Sequence, residues 1–260
     1  MDSQISRFVF QFAVCYDNDM KNVLITGASR GIGAATTRLL QAEGYKVYGV
    51  YNQSKEHGNN LQQKLSNIEM LQCDLSDSRQ VEWLVKDLKS ISFSAIVNNA
   101  GIALGDNVPD FTDKDWATSF NVNLVAPLTL VLGLKESIVQ GGAIVNIVSC
   151  YGALWGMDMS LSYSASKAAL SNVTKSLAVQ LRAQNIRVNA VAPSIVDTDM
   201  TAEDTPEMLS EVARRTPVGR IAKASEVANV VSFLISDKAS YVNAQTLIVD
   251  GGYSAWDGIY

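Results

Sequence analysis

Seven short apolar runs, spaced so that a helix fits between each and the next, constrain this chain more than any other feature. They read "NVLIT", "KVYGVY", "IEMLQC", "SAIVN", "GAIVNIVS", "IRVNAVA" and "TLIVD", and all lie after Met20. Most are apolar without alternation, as required of strands covered on both faces, and the stretches between them are long enough for crossover helices. The pattern predicts an α/β fold: a doubly wound parallel sheet of about seven strands with helices on both faces. With 260 residues, 47% of them hydrophobic, the chain can bury one large core, and no repeat or linker divides it. A single domain over residues 20–260 is expected.

Residues 1–19 read as an extension that this domain can dispense with. The apolar run "FVFQFAVCY" at 8–16 falls short of the roughly 20 residues of a membrane span. Acidic Asp17 and Asp19 follow it, where a signal peptide would place small residues. Within the domain, the first helix is expected from Gly33 to Glu43, ending at Gly44, and Thr112 with Asp115 forms an acidic capping box ahead of "WATSFNVNLVAPLTLVL". Long helices are expected over Ser162–Gln184 and Ser225–Ser236.

Composition removes several function classes. A formal charge of -5 offers no general attraction to nucleic acid or anionic membrane. The three cysteines, Cys15, Cys73 and Cys150, are scattered and odd in number, which fits neither a disulfide framework nor a metal cluster and points to the reducing cytoplasm. The single histidine, His57, precedes Gly58, Asn59 and Asn60 and reads as a solvated loop residue. Zinc hydrolysis and histidine acid–base chemistry are thereby disfavoured, and no metal is expected.

One stretch, "LITGASRGIG" at 24–33, carries two chemistries. Gly27 to Gly31 fits G-x-S-x-G, the nucleophile elbow of a hydrolase, with Ser29 as nucleophile. That reading needs an acid and then a histidine downstream; no Asp lies between Ser29 and His57, and no second histidine exists. The other reading gives each glycine a task. Gly27 permits a tight turn, Gly31 lets backbone approach a pyrophosphate, and Gly33 lets the helix pack closely on the sheet, with helix N–H groups aimed at the phosphates.

Further motifs follow in order: "NNAG" at 98–101, "NVNL" at 121–124, Ser149, "YSASK" at 163–167, "VNAVAP" at 188–193 and "DGG" at 250–252. With "TGASRGIG" they resemble the short-chain dehydrogenase/reductases over roughly residues 21–253, which implies a Rossmann-type fold and hydride transfer between a nicotinamide cofactor and a carbonyl or secondary alcohol. The resemblance implies that Tyr163 donates the proton, Ser149 hydrogen-bonds the carbonyl oxygen, Lys167 also holds the nicotinamide ribose, and Asn123 positions a water linking Lys167 to solvent. It places Asp74 and Leu75 beside the adenine, Asn99, Ala100 and Gly101 at the ribose and pyrophosphate, and Val196 and Thr198 at the carboxamide, with Ile32 and Pro193 also lining the cofactor. Asn98 is expected to tie strands together. Two departures are Ser194 and Ala244, each standing where the family commonly has glycine.

Tyr163 and Lys167 lie four apart, hence on one helix face. A positive charge about 4 Å from a phenol contributes on the order of 4 kcal/mol at an effective dielectric near 20, and Lys167 is therefore expected to draw the Tyr163 pKa down toward neutrality. Tyr51 and Lys55 share the spacing, but they straddle a strand end and a polar loop and are read as coincidence. For the cofactor, the segment after the second strand, "VYNQS", has no carboxylate to repel a 2′-phosphate. Arg30, with Ser29 and Asn52, can bind one, so NADP(H) is expected.

The segment "TPVGRIAKASEVANVVSFLISDKASY" is similar to the 3-oxoacyl-[acyl-carrier-protein] reductases and implies a 3-oxoacyl-type or other small apolar ketone as substrate. An acyl carrier protein is then a possible partner, although the positions where such enzymes carry docking arginines hold Gln140 and Gln184, with Arg182 nearby. Trp155, Met157 and Met159 are candidates for an apolar substrate pocket, and the loop Thr201–Thr216 for a cover over it. The family resemblance further implies a homotetramer built through two long helices and the last strand, which the tail "YSAWDGIY" could join. The alternative to an enzyme is a non-catalytic NADP-sensing module on the same fold.

Overall fold

The computed structural model describes residues 20–105, 112–157, 160–202 and 204–255; residues 1–19, Met159 and Trp256–Tyr260, on which expectations were placed, lie outside that set. Seven strands form one parallel sheet: β1 (Asn22–Thr26), β2 (Lys46–Tyr51), β3 (Ile68–Gln72), β4 (Phe93–Asn98), β5 (Ile138–Ile147), β6 (Arg187–Pro193) and β9 (Thr246–Val249). Their order is β3-β2-β1-β4-β5-β6-β9. The chain winds outward from β1 in one direction and from β4 in the other, so a crevice opens at the carboxyl ends of these two strands. Two short strands, β7 (Val196–Asp197) and β8 (Ala222–Lys223), pair with each other and were not foreseen.

Strand alternation divides the core into two layers. Val23 and Ile25 point into the layer closed by α1 (Gly31–Ala42), α2 (Lys55–Lys64) and α9 (Ala224–Ile235), through Leu40, Leu61 and Val231. Leu24 points the other way, toward α3 (Ser78–Leu88), α5 (Ala126–Leu134) and α7 (Leu161–Gln180), through Val81, Leu130 and Leu177. Both sheet faces are therefore dry, which is why the strands lack polar alternation.

The helices match their sequence signals closely. Asp77 caps α3 by accepting from Arg79 N–H, and Thr112 Oγ1 caps α4 (Asp113–Phe120) by accepting from Asp115 N–H at 3.1 Å. α1 begins two residues earlier than expected, because Gly31 with φ +53 already turns into it, and Gly44 with φ +91 ends it. Asp113–Ser137 is long and apolar enough by composition to cross a membrane. Many of its apolar side chains pack against α3 and α7, and a π turn at Asn121–Val125 interrupts it.

Two expectations need correction, and a third position, Ala244, shows what its missing glycine would have done. His57 and Lys55 lie on α2 rather than in a loop, with His57 exposed; the helix forms despite Gly58, which packs against the Tyr51 ring. The segment Thr201–Thr216 holds a ten-residue helix, α8 (Pro206–Arg215), capped by Thr205 and opened by Pro206. Ala244 takes the left-handed conformation, φ +59, that glycine would adopt without strain.

Candidate active site

Most of the expected cofactor-binding residues sit at carboxyl ends of neighbouring strands: Gly27–Gly33 after β1, Asn52 after β2, Asp74 and Leu75 after β3, Asn99–Gly101 after β4, and Pro193 with Val196 and Thr198 after β6. The glycine turn tolerates nothing larger. A Cβ on Gly33 would lie 2.0 Å from the Gly27 carbonyl oxygen, and one on Gly27 (φ +65) would lie 2.9 Å from Ala100 Cα. Asn99 clamps the turn, its Nδ2 donating to the carbonyls of Thr26 at 2.9 Å and Gly27 at 3.1 Å, while Thr26 Oγ1 accepts from the N–H groups of Asn99 and Ala100.

The donors of α1 remain available. Its N-cap residue Arg30 offers no side-chain acceptor, unlike the N-caps of α3, α4 and α8, and its first turn has no acid. An uncapped helix start with φ-positive Gly31 beside it fits a phosphate group. Thr198 stands over this turn, its Cβ 3.3 Å from where a Gly31 side chain would begin.

At the adenosine end, Ala28 N–H donates to Val50 O at 3.0 Å, which brings Ser29 and Arg30 alongside the end of β2 and Asn52. Arg30 is exposed and makes no ion pair among the described residues. Asp74 turns its Oδ1 to Ser76, accepting from that residue's N–H and hydroxyl. Asn98 does tie strands: its Nδ2 donates to Asn146 Oδ1 at 2.8 Å, and Asn146 donates on to Thr174 of α7.

The expected catalytic residues converge on α7. Ser149 follows β5, accepts from Tyr151 N–H at 3.1 Å, and its hydroxyl is hydrogen-bonded to the Tyr163 phenol. Lys167 is 2% exposed; its Nζ donates to Ile147 O at 2.8 Å and stands 5.8 Å from the Tyr163 ring centroid. Asn123 lies in the π turn and is fully buried. Its carboxamide is taken up by protein: Oδ1 accepts from Ile102 N–H, and Nδ2 donates to Ile102 O and Ser166 Oγ. Its side chain thus clips the chain after β4 to the catalytic helix.

The electrostatics also differ from expectation. Burial pushes the Tyr163 phenol up, the Ser149 hydrogen bond offsets part of that, and the net direction is upward. Burial also holds the Lys167 amine down, to about 8. The phenol therefore keeps its proton, as an acid should.

Two contributors escaped the sequence reading. Gly152 (φ +104) lets the Ser149 loop touch α7; a Cβ there would fall 2.4 Å from Ser164 O. Ser166 relays Asn123 to the Tyr163 carbonyl, to which it donates at 2.8 Å. A glycine inside "CYGALWG" was the available signal for the first; nothing in the spacing marks the second. Trp155 does not stand alone as an apolar wall but packs between Tyr151 and Tyr253.

Comparison with known proteins agrees with this arrangement. A family model described as enoyl-(acyl carrier protein) reductase matches residues 27–254. The uncharacterized oxidoreductase YmfI of Bacillus subtilis is 36% identical over 240 residues, covering 90% of this chain and 98% of its own. A 3-oxoacyl-[acyl-carrier-protein] reductase of Thermotoga maritima is 37% identical over 244 residues, covering 89% and 97%. Among solved structures, a short chain dehydrogenase from Burkholderia cenocepacia in complex with NADP superposes with a TM-score of 0.85 at 31% identity, covering 90% and 98%. With the glycine turn, the Ser149–Tyr163–Lys167 cluster and these relatives in agreement, the chain belongs to the short-chain dehydrogenase/reductase family of oxidoreductases.

Proposed function

We propose that this protein is an NADP(H)-dependent reductase of 3-oxoacyl-type or other small apolar ketones, reversible toward the secondary alcohols. The observation that carries the reading is the half-buried Tyr163, with Ser149 in contact and Lys167 one turn along the same helix. The uncapped start of α1 and the glycine turn suit a pyrophosphate, and Arg30, Ser29 and Asn52 suit an adenosine 2′-phosphate. Ile32, Asp74, Leu75, Ala100, Gly101, Pro193, Val196 and Thr198 complete the lining. Bound there, the reduced cofactor supplies a hydride to the carbonyl carbon.

The protein's share of the reaction is the proton. Tyr163 holds it on the phenol oxygen, kept there by burial, and releases it to the carbonyl oxygen as that oxygen gains charge. Ser149, whose hydroxyl is hydrogen-bonded to the phenol, would turn that proton to the same carbonyl oxygen when substrate binds. Lys167 donates once to Ile147 O and has two further N–H groups for a ribose hydroxyl and for stabilising the phenolate left behind. Tyr163→Phe should lower reductase turnover by about 10²–10⁴-fold while NADPH still binds; unchanged turnover across a panel of ketones would overturn the reading.

A carrier protein is the weaker part of the substrate assignment. Arg182 turns back to donate to Val179 O, and the uncharged Gln184 donates to Glu136. Assembly as a homotetramer is supported by Leu132 and Val179, 50% and 60% exposed on α5 and α7, and by β9, whose residues are only half-buried at the sheet edge. Light scattering reporting a monomer would reject it. A module that only senses the dinucleotide would bind NADPH and leave every ketone of the panel untouched.

A further inference from the structure

Beyond the catalytic cluster, one row of side chains leads away from it and ends in a charge. Trp155 meets Tyr151 edge-on at 6.3 Å between ring centroids and meets Tyr253 at 6.0 Å. Tyr253 lies under the guanidinium of Arg215, 5.3 Å from its ring centre. Both ends of the row are fixed. At the near end, Tyr151 N–H donates to Ser149 Oγ, and Gly152 N–H donates to Trp155 O at 2.6 Å. At the far end, Gly251 and Gly252 press on Thr216 and Pro217, the residues directly after Arg215, and Val218 N–H donates to Gly251 O.

Arg215 differs from the other arginines nearby. Arg214 is held by Glu211 through two hydrogen bonds, and Arg220 by Glu226 through two more. Arg215 is exposed and makes no ion pair among the described residues. A guanidinium laid on an aromatic face is fixed in its plane, and its fork of N–H groups stays free at the edge, the geometry that takes a carboxylate or phosphate through paired hydrogen bonds. The row of uncharged rings that begins at Tyr151, two residues after Ser149, and ends under this cation offers aromatic faces to an apolar spacer.

We infer that Arg215 is a specificity residue for an anionic group on the substrate: a carbonyl compound whose carboxylate or phosphate is separated from the reacting carbonyl by an apolar spacer lying along Tyr151, Trp155 and Tyr253. This rests on the carbonyl-reductase reading above. It differs from carrier-protein docking in that the charge recognised belongs to the small molecule itself and the site is on α8.

The test compares 9-oxodecanoate with its methyl ester as NADPH-dependent substrates of the full chain. The acid should be favoured in kcat/KM by about tenfold or more, as expected of a charge-assisted pair. The ratio should fall to near one in Arg215→Gln and persist in Arg214→Gln, whose cation is already paired. A preference absent from the wild type, or surviving in Arg215→Gln, overturns the inference. Calorimetric titration of decanoate against decanol, with NADP present, reads the anion site without turnover; decanoate binding that is lost in Arg215→Gln supports it, and equal binding of the two overturns it. Brisk turnover of the ester with no preference for the acid would remove the anion site and leave the reductase standing. No turnover of either compound, with Arg215-dependent binding of decanoate, would do the reverse.

Discussion

At the β1–α1 turn a single added carbon has nowhere to go, whereas in the excursion between β7 and β8 a whole helix, α8, buries none of its residues. The turn is determined several times over, by φ-positive Gly27 and Gly31, by the contact of Gly33 with Gly27 and by the Asn99 clamp. The excursion is held at its base, where β7 pairs with β8, Thr201 Oγ1 donates to Val196 O, and Arg220 pairs with Glu226. Beyond that base, α8 exposes Met208 and holds Arg214 to Glu211 at the surface. The invariant part of the reaction is the dinucleotide, and rigidity serves it. A segment free of the core can change its side chains with little loss of stability.

The sharpest way to break this contrast is a pair of small substitutions. Gly33→Ala gains about 1 kcal/mol of helix propensity but sets a methyl against the Gly27 carbonyl. The clash wins, costing about 3 kcal/mol or more and abolishing NADPH binding. Ser210→Ala on α8 should change stability by less than about 0.5 kcal/mol. Similar thermal shifts for the two, by calorimetry, would erase the distinction.

Next in size is Lys167→Met, where the two regions meet. Activity should be lost, yet the fold should gain stability. The folded pKa, about 8, lies below the 10.5 of the free side chain, so the charged form is penalised by burial below pH 8 and the native state regains stability as pH rises from 8 toward 10.5. The variant should therefore be more stable than wild type by about 1–3 kcal/mol at pH 7, with the gap closing above pH 10 in denaturant titrations. A gap independent of pH would mean that the amine is not titrating as buried.

Arg30→Ala should raise the KM for NADPH by about 10–100-fold, the loss of one charge-assisted contact, while NADH is unaffected; equal efficiency with both cofactors in the wild type would defeat this. The smallest effect is Glu211→Gln, which removes an exposed partner of Arg214 and should leave the melting temperature unchanged within scatter. A resolvable drop would show that α8 is more tightly integrated than its exposure implies.

How far these features could be read from the sequence depends on whether their cause is local. The apolar runs become the seven strands with ends shifted by one or two residues, except β5, which begins at Ile138, because dry sheet faces demand apolar side chains on both sides. The glycine turn is legible because backbone at φ near +60 is expensive for anything else. The placement of α2 was misread because Gly58 and two asparagines argue locally for a loop, while packing of Gly58 on Tyr51 and of Leu61 in the core favours helix.

From the sequence alone came the parallel sheet and the glycine turn, each resting on periodicity or a backbone conformation, while the Ser149, Tyr163 and Lys167 set came from the resemblance of its motifs to a known family. Only the tertiary structure decided that Asn123 is a clip, that the phenol is raised rather than lowered, and that Trp155, Tyr253 and Arg215 form one row. These depend on burial and on contacts between segments far apart in the chain. Desolvation and the meeting of distant side chains have no signature in spacing, because both are set by what the rest of the fold places around a residue.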